Sequence, residues 1–312
     1  MKILITGVAW FVGSNLLKKL LDEGHQVIWI DNFTLGKREY LLPFWNNEKF
    51  LFHEVDLLQL ESIKPIFTWI ELVFHLAANS DISKGAQITD IDLSLGTIAT
   101  YNVLEAMRIN EVKKIIFASS SAVYGIAKKI PTAEDDGPML PISLYGASKL
   151  ACEWLIGAFC HNYQMQGWIY RFGNVIGRNS THGAAYDFVK KLRIDPQKLL
   201  ILGDWKQAKP YIHVDDLIKG MLIGFEKTNE ELNYFNLSTQ GNTNVTTIAQ
   251  SIIKHMNLNN VELNYTGWSQ GRRGDVPQVQ LDPTKIEKLW RKPLYNSEEA
   301  VIQWTKEIVQ QV

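Results

Sequence analysis

The sequence predicts an α/β protein: a doubly wound parallel sheet followed by a smaller, mixed α/β lobe. Short β-rich apolar runs alternate with helical patterns through the first half, which is typical of βαβ units. After about residue 175 this alternation loosens into mixed loops and helices. We therefore predict a first domain at 1–175 and a second lobe at 176–312, with some segments around 210–237 returning to the first domain.

The patterns define six strands and three of the helices between them. The predicted strands are Lys2–Ile5, Gln26–Ile30, Lys49–Glu54, Leu72–His75, Lys114–Ala118 and Gly167–Arg171. The predicted helices are Val12–Glu23, which ends at Gly24, Ile98–Arg108 and Ala147–Cys160. Buried strands separated by crossover helices are the signature of an open, doubly wound sheet.

Composition narrows the classes of partner. The 312 residues carry a formal net charge of −1, with 46% apolar and 21% charged residues, as in an ordinary globular protein. Such a balance argues against nucleic-acid and anionic-membrane partners. We expect a cytoplasmic protein, since neither a secretory signal nor a membrane span is recognisable. Cys152 and Cys160 stand eight residues apart in a helical pattern, beyond disulfide reach, and lack partners at metal-ligand spacing.

The turn after the first strand is the first candidate for ligand binding. Gly7 allows a sharp turn, Gly13 allows close packing of helix on strand, and Trp10, Phe11 and Val12 lie between them. A dinucleotide fold places a pyrophosphate at this position, against the free amides of the helix N-terminus. The alternative is a plain turn without a ligand.

An acidic residue closes the second strand. Asp31, followed by Asn32, is positioned to accept hydrogen bonds from both ribose hydroxyls of an adenosine, and its charge would repel a 2′-phosphate. This pattern favours NAD over NADP as the cofactor, although a simple strand-end cap is the alternative.

Two further strand ends carry suitable residues. Asp56 and Leu57 follow the third strand, where they would flank an adenine. Leu76, Ala77 and Ala78 follow the fourth strand, and small residues there let the backbone approach a cofactor closely. Ligands of doubly wound sheets bind at these carboxyl ends.

The most informative motif is Tyr145-Gly-Ala-Ser-Lys149. The spacing of four residues places the phenol and the ammonium on one helical face, where we expect the lysine to lower the pKa of the tyrosine toward neutrality. A hydroxyl at the end of the fifth strand, in the run Ser119-Ser120-Ser121, is positioned to hydrogen-bond a reacting oxygen. A solvated helix face is the alternative explanation of such a spacing.

Together these motifs resemble the extended short-chain dehydrogenases/reductases, particularly the UDP-galactose 4-epimerase group. The resemblance rests on the glycine turn, Asp31, the serine run with Val-Tyr-Gly, and Tyr-x-x-x-Lys. It extends, in the same order, to four later segments: Arg171-Phe-Gly-Asn-Val-Ile-Gly177, Leu202-Gly-Asp204, Tyr211-Ile-His-Val-Asp-Asp216 and Arg272-Arg-Gly-Asp275. It implies a Rossmann-type NAD-binding domain, a nucleotide-sugar-binding lobe and a homodimer.

The resemblance also implies roles. Tyr145 would be the general base, Lys149 would hold the nicotinamide ribose, and Ser120 would be the catalytic hydroxyl. The residues implied on the substrate side, for a UDP- or GDP-linked sugar, are Ser121, Asn174, His182, Lys209, Arg272, Arg273 and Val279. Among them Asn174 and Arg272 would contact the diphosphate, with Arg273 as the alternative to Arg272. A solvated loop is the competing interpretation of the two arginines.

Four positions depart from the family pattern. Trp10 replaces the middle glycine beside the pyrophosphate, so the indole must swing aside or occupy cofactor space. Trp205 stands in place of a surface-turn glycine, and Leu93 in place of an asparagine. Ser121 and Ala122 replace the Asp-Glu pair of the 4,6-dehydratases, which argues against a dehydratase.

Three hypotheses follow from this pattern. The favoured one is an NAD-dependent 4-epimerase of a nucleotide sugar. The second is a C4 dehydrogenase or ketoreductase that uses the same Ser-Tyr-Lys site. The third, of a different class, is a non-catalytic sugar-nucleotide-binding protein whose cofactor site Trp10 blocks.

Overall fold

A computed structural model of the chain describes residues 1–34, 36–181, 183–203, 208–267, 279–290 and 293–312. Its strands, numbered in chain order, are β1 Lys2–Thr6, β2 Gln26–Asp31, β3 Phe50–Glu54, β4 Leu72–His75, β5 Lys114–Ser120, β6 Gln166–Phe172, β7 Asn174–Ile176, β8 Lys198–Ile201, β9 Ala208–Lys209, β10 Tyr211–His213, β11 Leu232–Leu237, β12 Thr243–Asn244 and β13 Glu262–Tyr265. No helix in these ranges is long and apolar enough to cross a membrane.

The α-helices are α1 Phe11–Asp22, α2 Leu60–Ile63, α3 Ile82–Gln87, α4 Ala99–Ile109, α5 Leu144–Tyr163, α6 Ala184–Ile194, α7 Val214–Lys227, α8 Val245–His255, α9 Thr284–Glu287 and α10 Ser297–Gln311. A π-helix, Leu93–Ile98, runs directly into α4. Short 3₁₀ turns cover Arg38–Tyr40, Leu42–Phe44, Lys64–Phe67 and Ser121–Tyr124.

Seven strands of the described chain form one sheet, in the order β11-β6-β5-β4-β1-β2-β3. Every pairing in it is parallel. The order reverses direction beside β1, so the prediction of an α/β, doubly wound parallel sheet is confirmed. The ligand-facing crevice of such a sheet lies at the carboxyl ends of β1 and β4.

Two apolar layers sandwich the sheet. On one face, Leu17 of α1 and Leu217 of α7 belong to the same buried cluster as Trp29 of β2. On the other, Val103 of α4 and Ile156 of α5 belong to a second buried cluster. Crossover helices on both faces explain why the strands read as nearly continuous apolar runs.

The smaller lobe has an apolar core of its own. Buried side chains of α6, α8 and α10 pack there, including Phe188, Ile252 and Trp304, together with Leu199 of β8. β8 pairs in parallel with β13. The division of the chain into domains at residue 175 stays a prediction.

Helix α5 starts three residues earlier than its pattern predicts. The Ser143 hydroxyl accepts a hydrogen bond of 3.0 Å from the amide of Gly146 and caps the helix. Tyr145 therefore lies in the first turn of α5, and its phenol lies close to the end of β5. Both cysteines of this region, Cys152 and Cys160, are free and buried, as expected.

Candidate active site

A pocket of about 630 Å³ lies at the carboxyl ends of β1 to β4. Its lining includes nine residues that the sequence predicted for the cofactor: Gly7, Trp10, Asp31, Asn32, Asp56, Leu57, Leu76, Ala77 and Ala78. Thr34, Gly36, Val55, Leu95 and Ala99 also line it and were not predicted. The four strand ends thus converge on a single cavity.

Glycines shape the floor of this pocket. Gly7 has φ +72°, and a Cβ there would lie 2.7 Å from the backbone of Ala77. A Cβ on Gly13 would lie 2.5 Å from the Cα of Val8. Because both positions meet backbone, which cannot move aside cheaply, the turn accepts only glycine at these two places. Gly36 closes the opposite rim, since a Cβ there would overlap Ala9 and approach Asp31.

Asp31 is held at the pocket wall by backbone amides. One carboxylate oxygen accepts from the amide of Ala9 at 3.0 Å, and the other accepts from Phe33 at 2.8 Å. Burial raises the pKa of this carboxyl, while the bonds from Phe33 and Ala9 oppose the rise. Each oxygen has a second lone pair for a ribose hydroxyl.

The other predicted cofactor residues differ in their surroundings. Asp56 accepts from the amide of Leu58 at 2.9 Å, which fixes its carboxylate at the end of β3. Asn32 is exposed at the rim and accepts from Thr34 at 3.1 Å. Phe11 is buried in the core beneath α1, and Val12 packs beside it, so these two face the sheet rather than the cavity.

Trp10 stands at the N-cap of α1, with φ −114° and ψ 176°. Its side chain is half-buried, lines the pocket and packs against the core cluster below. The indole therefore shares the wall with Gly7 and Asp31, beside the helix N-terminus where a pyrophosphate would lie.

The predicted catalytic residues gather at the next strand end. Ser120 is the last residue of β5, and its hydroxyl accepts from the amide of Ala122 at 3.2 Å. Tyr145 and Lys149 lie one turn apart in α5, with the lysine ammonium 5.9 Å from the phenol ring centre. The Ser120 side chain lies close enough to the phenol of Tyr145 to favour its ionised form.

The pKa of Tyr145 is raised in the structure, whereas the sequence predicted a lowered pKa. Burial raises the pKa of the phenol to about 12, and the Ser120 side chain only partly opposes this. The predicted lowering by Lys149 is not found. The ammonium instead donates to the carbonyl of Ala118 at 2.6 Å and lies over the ring of Phe117, 4.6 Å from its centre.

Lys149 itself is strongly perturbed. Its side chain is buried, and burial lowers its pKa to about 8 despite the opposing effects of Cys152 and Glu153. A buried lysine with so low a pKa is characteristic of functional sites. The pair therefore consists of a phenol that resists ionisation and an ammonium that releases its proton readily.

A buried polar chain beneath the site escaped the sequence analysis. His75, fully buried at the end of β4, lies 2.7 Å from the hydroxyl of Thr6 and 2.9 Å from that of Thr100. Burial lowers the pKa of His75 to about 3, so the ring is neutral. The chain joins β1, β4 and α4 below Ala77. Nothing in the spacing of these three residues signals their contact.

The described substrate-side residues lie on separate segments of the chain, and none of them lines the cofactor pocket. Ser121 opens the 3₁₀ turn after β5, and Asn174 starts β7, where its amide donates to the carbonyl of Pro210 at 3.1 Å. Lys209 ends β9, and Val279 is half-buried. His182, Arg272 and Arg273 lie outside the described residues, as does Trp205. Leu93 is 54% exposed.

Comparison with known proteins decides the family. Residues 3–238 match the model of the family described as NAD dependent epimerase/dehydratase family. The chain belongs to this family. The match spans the glycine turn, the Ser-Tyr-Lys site and the seventh strand of the sheet, so the resemblance seen in the motifs is confirmed.

Solved structures and curated relatives agree with this assignment. A UDP-galactose 4-epimerase is 33% identical, covers 100% of both chains and has a TM-score of 0.87. A UDP-glucose 4-epimerase of Thermotoga maritima, solved with UDP-glucose, is 30% identical over 100% of this chain and 99% of that one, with a TM-score of 0.88. A UDP-N-acetyl-alpha-D-glucosaminuronate decarboxylase of Bacillus cytotoxicus is 28% identical over 98% of both chains.

The protein is therefore a member of an NAD-dependent family of nucleotide-sugar-modifying enzymes. The pocket fits that cofactor, because Gly7 lines it without a side chain and the Asp31 carboxylate stands at its wall. Relatives of similar identity include both epimerases and a decarboxylase. Family membership alone thus leaves the reaction open.

Proposed function

We propose that this protein is a nucleotide-sugar 4-epimerase that uses NAD. The observation that carries the proposal is the arrangement of Ser120, Tyr145 and Lys149 at the same sheet edge as the cofactor pocket. The residues beside it support a reaction confined to C4, because Ser121 and Ala122 offer no carboxylate for proton transfer at other sugar carbons.

The chain's own residues would act as follows. Tyr145 removes the proton of the sugar C4 hydroxyl and later returns it. Ser120 hydrogen-bonds the same oxygen and steadies the phenolate, since its side chain already favours the ionised phenol. Lys149 binds the nicotinamide ribose and keeps positive charge behind the base. NAD⁺ supplies the hydride acceptor and a positive charge that further favours the phenolate.

The cofactor would be held by backbone and by Asp31. Amides of the first turn of α1 face the pyrophosphate, Gly7 and Ala77 allow its close approach, and Asp31 accepts from the ribose hydroxyls. Asp56 and Leu57 flank the adenine. This arrangement supports NAD over NADP because a 2′-phosphate would meet the Asp31 carboxylate.

The substrate would be a UDP- or GDP-linked sugar. Asn174, Lys209 and Arg272 are the residues we assign to its diphosphate, with Arg273 as the alternative to Arg272 and His182 as a further substrate-side residue. A lysine neutralises a phosphate without the bidentate fork of an arginine. The Lys209 contact is accordingly the weakest of the three.

Val279 is our candidate for setting the size of the sugar. Its small side chain would leave room for an N-acetyl group. Val279→Tyr should lower turnover on an N-acetylated UDP-hexose at least about tenfold relative to the plain UDP-hexose. Equal turnover of both substrates before and after the change would remove this role.

A homodimer completes the proposal. The outer faces of α4 and α5 carry exposed aromatic side chains: Trp154 is 69% exposed, Tyr101 43% and Tyr163 42%. Such a patch supports pairing of the two helices across a two-fold axis. Sedimentation equilibrium should give twice the chain mass. A monomer at micromolar concentration would contradict the dimer and leave the reaction untouched.

The decisive experiment combines two measurements on the purified protein. Denaturation releases any bound nucleotide, which absorbance and mass identify together with its redox state. Incubation with UDP-glucose, UDP-galactose and their N-acetylated and GDP-linked counterparts, followed by proton NMR, detects the C4 epimer. We expect mostly NAD⁺ and interconversion of one pair of epimers.

Other outcomes select the competing hypotheses. Mostly NADH, with a keto sugar as product, would favour the C4 dehydrogenase or ketoreductase over the epimerase. No bound nucleotide, and none taken up from added NAD⁺, would make Trp10 a block and favour a non-catalytic sugar-nucleotide-binding protein.

A further inference from the structure

A buried ion pair lies below the catalytic residues. The guanidinium of Arg171, in β6, donates to both oxygens of Glu153, in α5, at 2.7 to 3.2 Å. Each residue is only about 5% exposed. Burying two charges is costly unless every hydrogen-bonding group is used. The remaining contacts of the pair therefore decide what it does.

Glu153 connects the two elements that carry the proposed catalytic residues. It follows Tyr145 and Lys149 at intervals of four residues, so all three lie along one face of α5. The same carboxylate accepts from the hydroxyl of Ser119, in β5, at a donor–acceptor distance of 2.5 Å. Ser119 immediately precedes Ser120. The carboxylate thus links α5 to the strand end that carries Ser120.

Arg171 extends the connection to the loop after β5. One guanidinium nitrogen donates to the hydroxyl of Tyr124 and to the carbonyl of Glu134, both at 2.8 Å. Tyr124 in turn donates to the side chain of Asn236, in β11, at 2.8 Å. Tyr124 ends the 3₁₀ turn that begins directly after Ser120.

The same loop reaches the segment that follows residue 278. The side-chain amide of Asn236 donates to the carbonyl of Thr132 at 2.9 Å. The backbone amide of Asn236 donates to the Glu134 carboxylate at 2.8 Å. Thr132 exchanges backbone hydrogen bonds with Gln280 and Asp282, both at 2.8 Å. Arg171 therefore lies at the centre of a network that runs from the catalytic helix to the vicinity of Val279.

We propose that Arg171 and Glu153 are positioning residues that fix the rotation and axial register of α5 against β5. They hold the hydroxyl of Tyr145 close to the hydroxyl of Ser120 without touching the substrate. Neither residue lines the cofactor pocket. This role rests on the proposed function only in the choice of the reaction to be assayed. The geometry that Arg171 and Glu153 would control is that of Ser120 and Tyr145, whatever the reaction.

Three variants test this role. Arg171→Lys keeps the charge but loses the bidentate fork. Glu153→Gln combined with Arg171→Met removes both charges, so no uncompensated charge is left buried, and glutamine still accepts from Ser119. The matched control is Arg178→Lys, since Arg178 makes a comparable fork to Asp215, at 2.6 and 3.0 Å, away from the catalytic helix.

Four quantities are measured in each variant: the melting temperature, the dissociation constant for NAD⁺, the kcat and KM of the nucleotide-sugar reaction, and the NMR signal of Tyr145. For the last, the protein is labelled with ¹³Cζ-tyrosine, and the Tyr145 resonance is assigned by its absence from Tyr145→Phe. This resonance reports the phenol hydrogen bond and needs no substrate.

We expect kcat to fall by about tenfold to a hundredfold in Arg171→Lys and in the double variant, because small displacements of a catalytic group cost that much. KM and the NAD⁺ dissociation constant should stay within about twofold. The Tyr145 resonance should shift in both variants and remain unchanged in Arg178→Lys.

The contrary result is equally clear. If the double variant folds and has the kcat of the wild type with an unshifted Tyr145 resonance, the positioning role is wrong. Arg171 and Glu153 would then only neutralise each other's charge. If the double variant does not fold, the same readings in Arg171→Lys decide. If the wild type epimerises no nucleotide sugar, the proposed function fails, and the Tyr145 resonance still tests the positioning role.

Discussion

The two halves of the ligand-facing edge are built in different ways. At the cofactor end, Gly7 and Ala77 contribute backbone, and the half-buried Asp31 contributes the carboxylate that we assign to the adenosine ribose. At the catalytic end, Ser120, Tyr145 and Lys149 act through their side chains. The buried ion pair of Arg171 and Glu153 connects α5 to the strands beside it.

This difference explains where the sequence departs from the family pattern. A wall made of backbone tolerates a new side chain that packs partly elsewhere, and Trp10 lies partly against the core beneath α1. A catalytic end made of side chains has no such freedom, because each functional atom belongs to one residue type. The departure at Trp10 and the intact Ser-Tyr-Lys set follow from this contrast. Four changes, from the largest expected effect to the smallest, test it.

Tyr145→Phe removes the base and should lower turnover on the order of a thousandfold. The NAD⁺ dissociation constant should not change, because the phenol hydroxyl belongs to the catalytic end alone. Steady-state kinetics and isothermal titration calorimetry measure the two quantities. Wild-type turnover in this variant would remove the proposed mechanism.

Asp31→Ala should weaken NAD⁺ binding by about tenfold to a hundredfold, since charged hydrogen bonds to the ribose are lost. The preference for NAD⁺ over NADP⁺ should shrink at the same time. Asp22→Ala, which removes an exposed carboxylate paired with Lys18, is the control for net charge. Equal affinity of wild type and Asp31→Ala would show that backbone contacts alone hold the cofactor.

Lys149→Met should abolish turnover and yet raise the free energy of unfolding at pH 7 by about 2 kcal/mol, because relief of roughly 3 kcal/mol of charge burial exceeds the loss of about 1 kcal/mol for the hydrogen bond to Ala118. The folded protein lowers the pKa of Lys149 to about 8 from 10.5, so burial of the ammonium destabilises it below that pH. Between about pH 8 and 10.5 the unfolded chain binds more protons than the folded one, so wild-type stability recovers.

The advantage of Lys149→Met should therefore shrink across this interval. Urea unfolding at pH 7, 9 and 10.5 measures it. A constant difference would mean that folding does not lower the pKa of Lys149. A loss of stability at pH 7 would mean that the hydrogen bond to Ala118 outweighs the cost of burying the charge.

Trp10→Gly should strengthen NAD⁺ binding by about threefold to tenfold, because the indole shares the wall beside the pyrophosphate. Trp69→Gly is a suitable control, since Trp69 is 82% exposed and its φ of 65° suits glycine. Weaker binding in Trp10→Gly would reverse the interpretation and make the indole a contact that supports the cofactor.

Much of this architecture was predictable from the sequence. The buried strands gave continuous apolar runs, so β1 to β6 were found within two residues of their observed ends. The start of α5 was missed because Ser143, a capping residue, lies before the apolar pattern. The π-helix Leu93–Ile98 was missed because its hydrogen-bond register leaves no distinctive residue spacing.

Some residues of the candidate site were likewise predictable from the sequence and others were not. Residues next to strand ends, such as Asp31 and Ala77, were found because parallel strands end at a common edge. Gly36 was missed, although a glycine five residues after the strand-end Asp31 is a usable signal. The pairs His75–Thr100 and Arg171–Glu153 join distant segments, and no periodicity reveals a contact between them.

The order of the strands has a consequence for assembly. In chain order, β1 and β2 are neighbours, and β3 lies on the other side of β2. β4 lies on the other side of β1, and β5, β6 and β11 each lie beside the sheet strand that precedes them in the chain. During synthesis, every new strand can therefore pair with a free sheet edge formed by strands that precede it in the chain. The sheet grows outward from its centre without threading a strand between two completed neighbours.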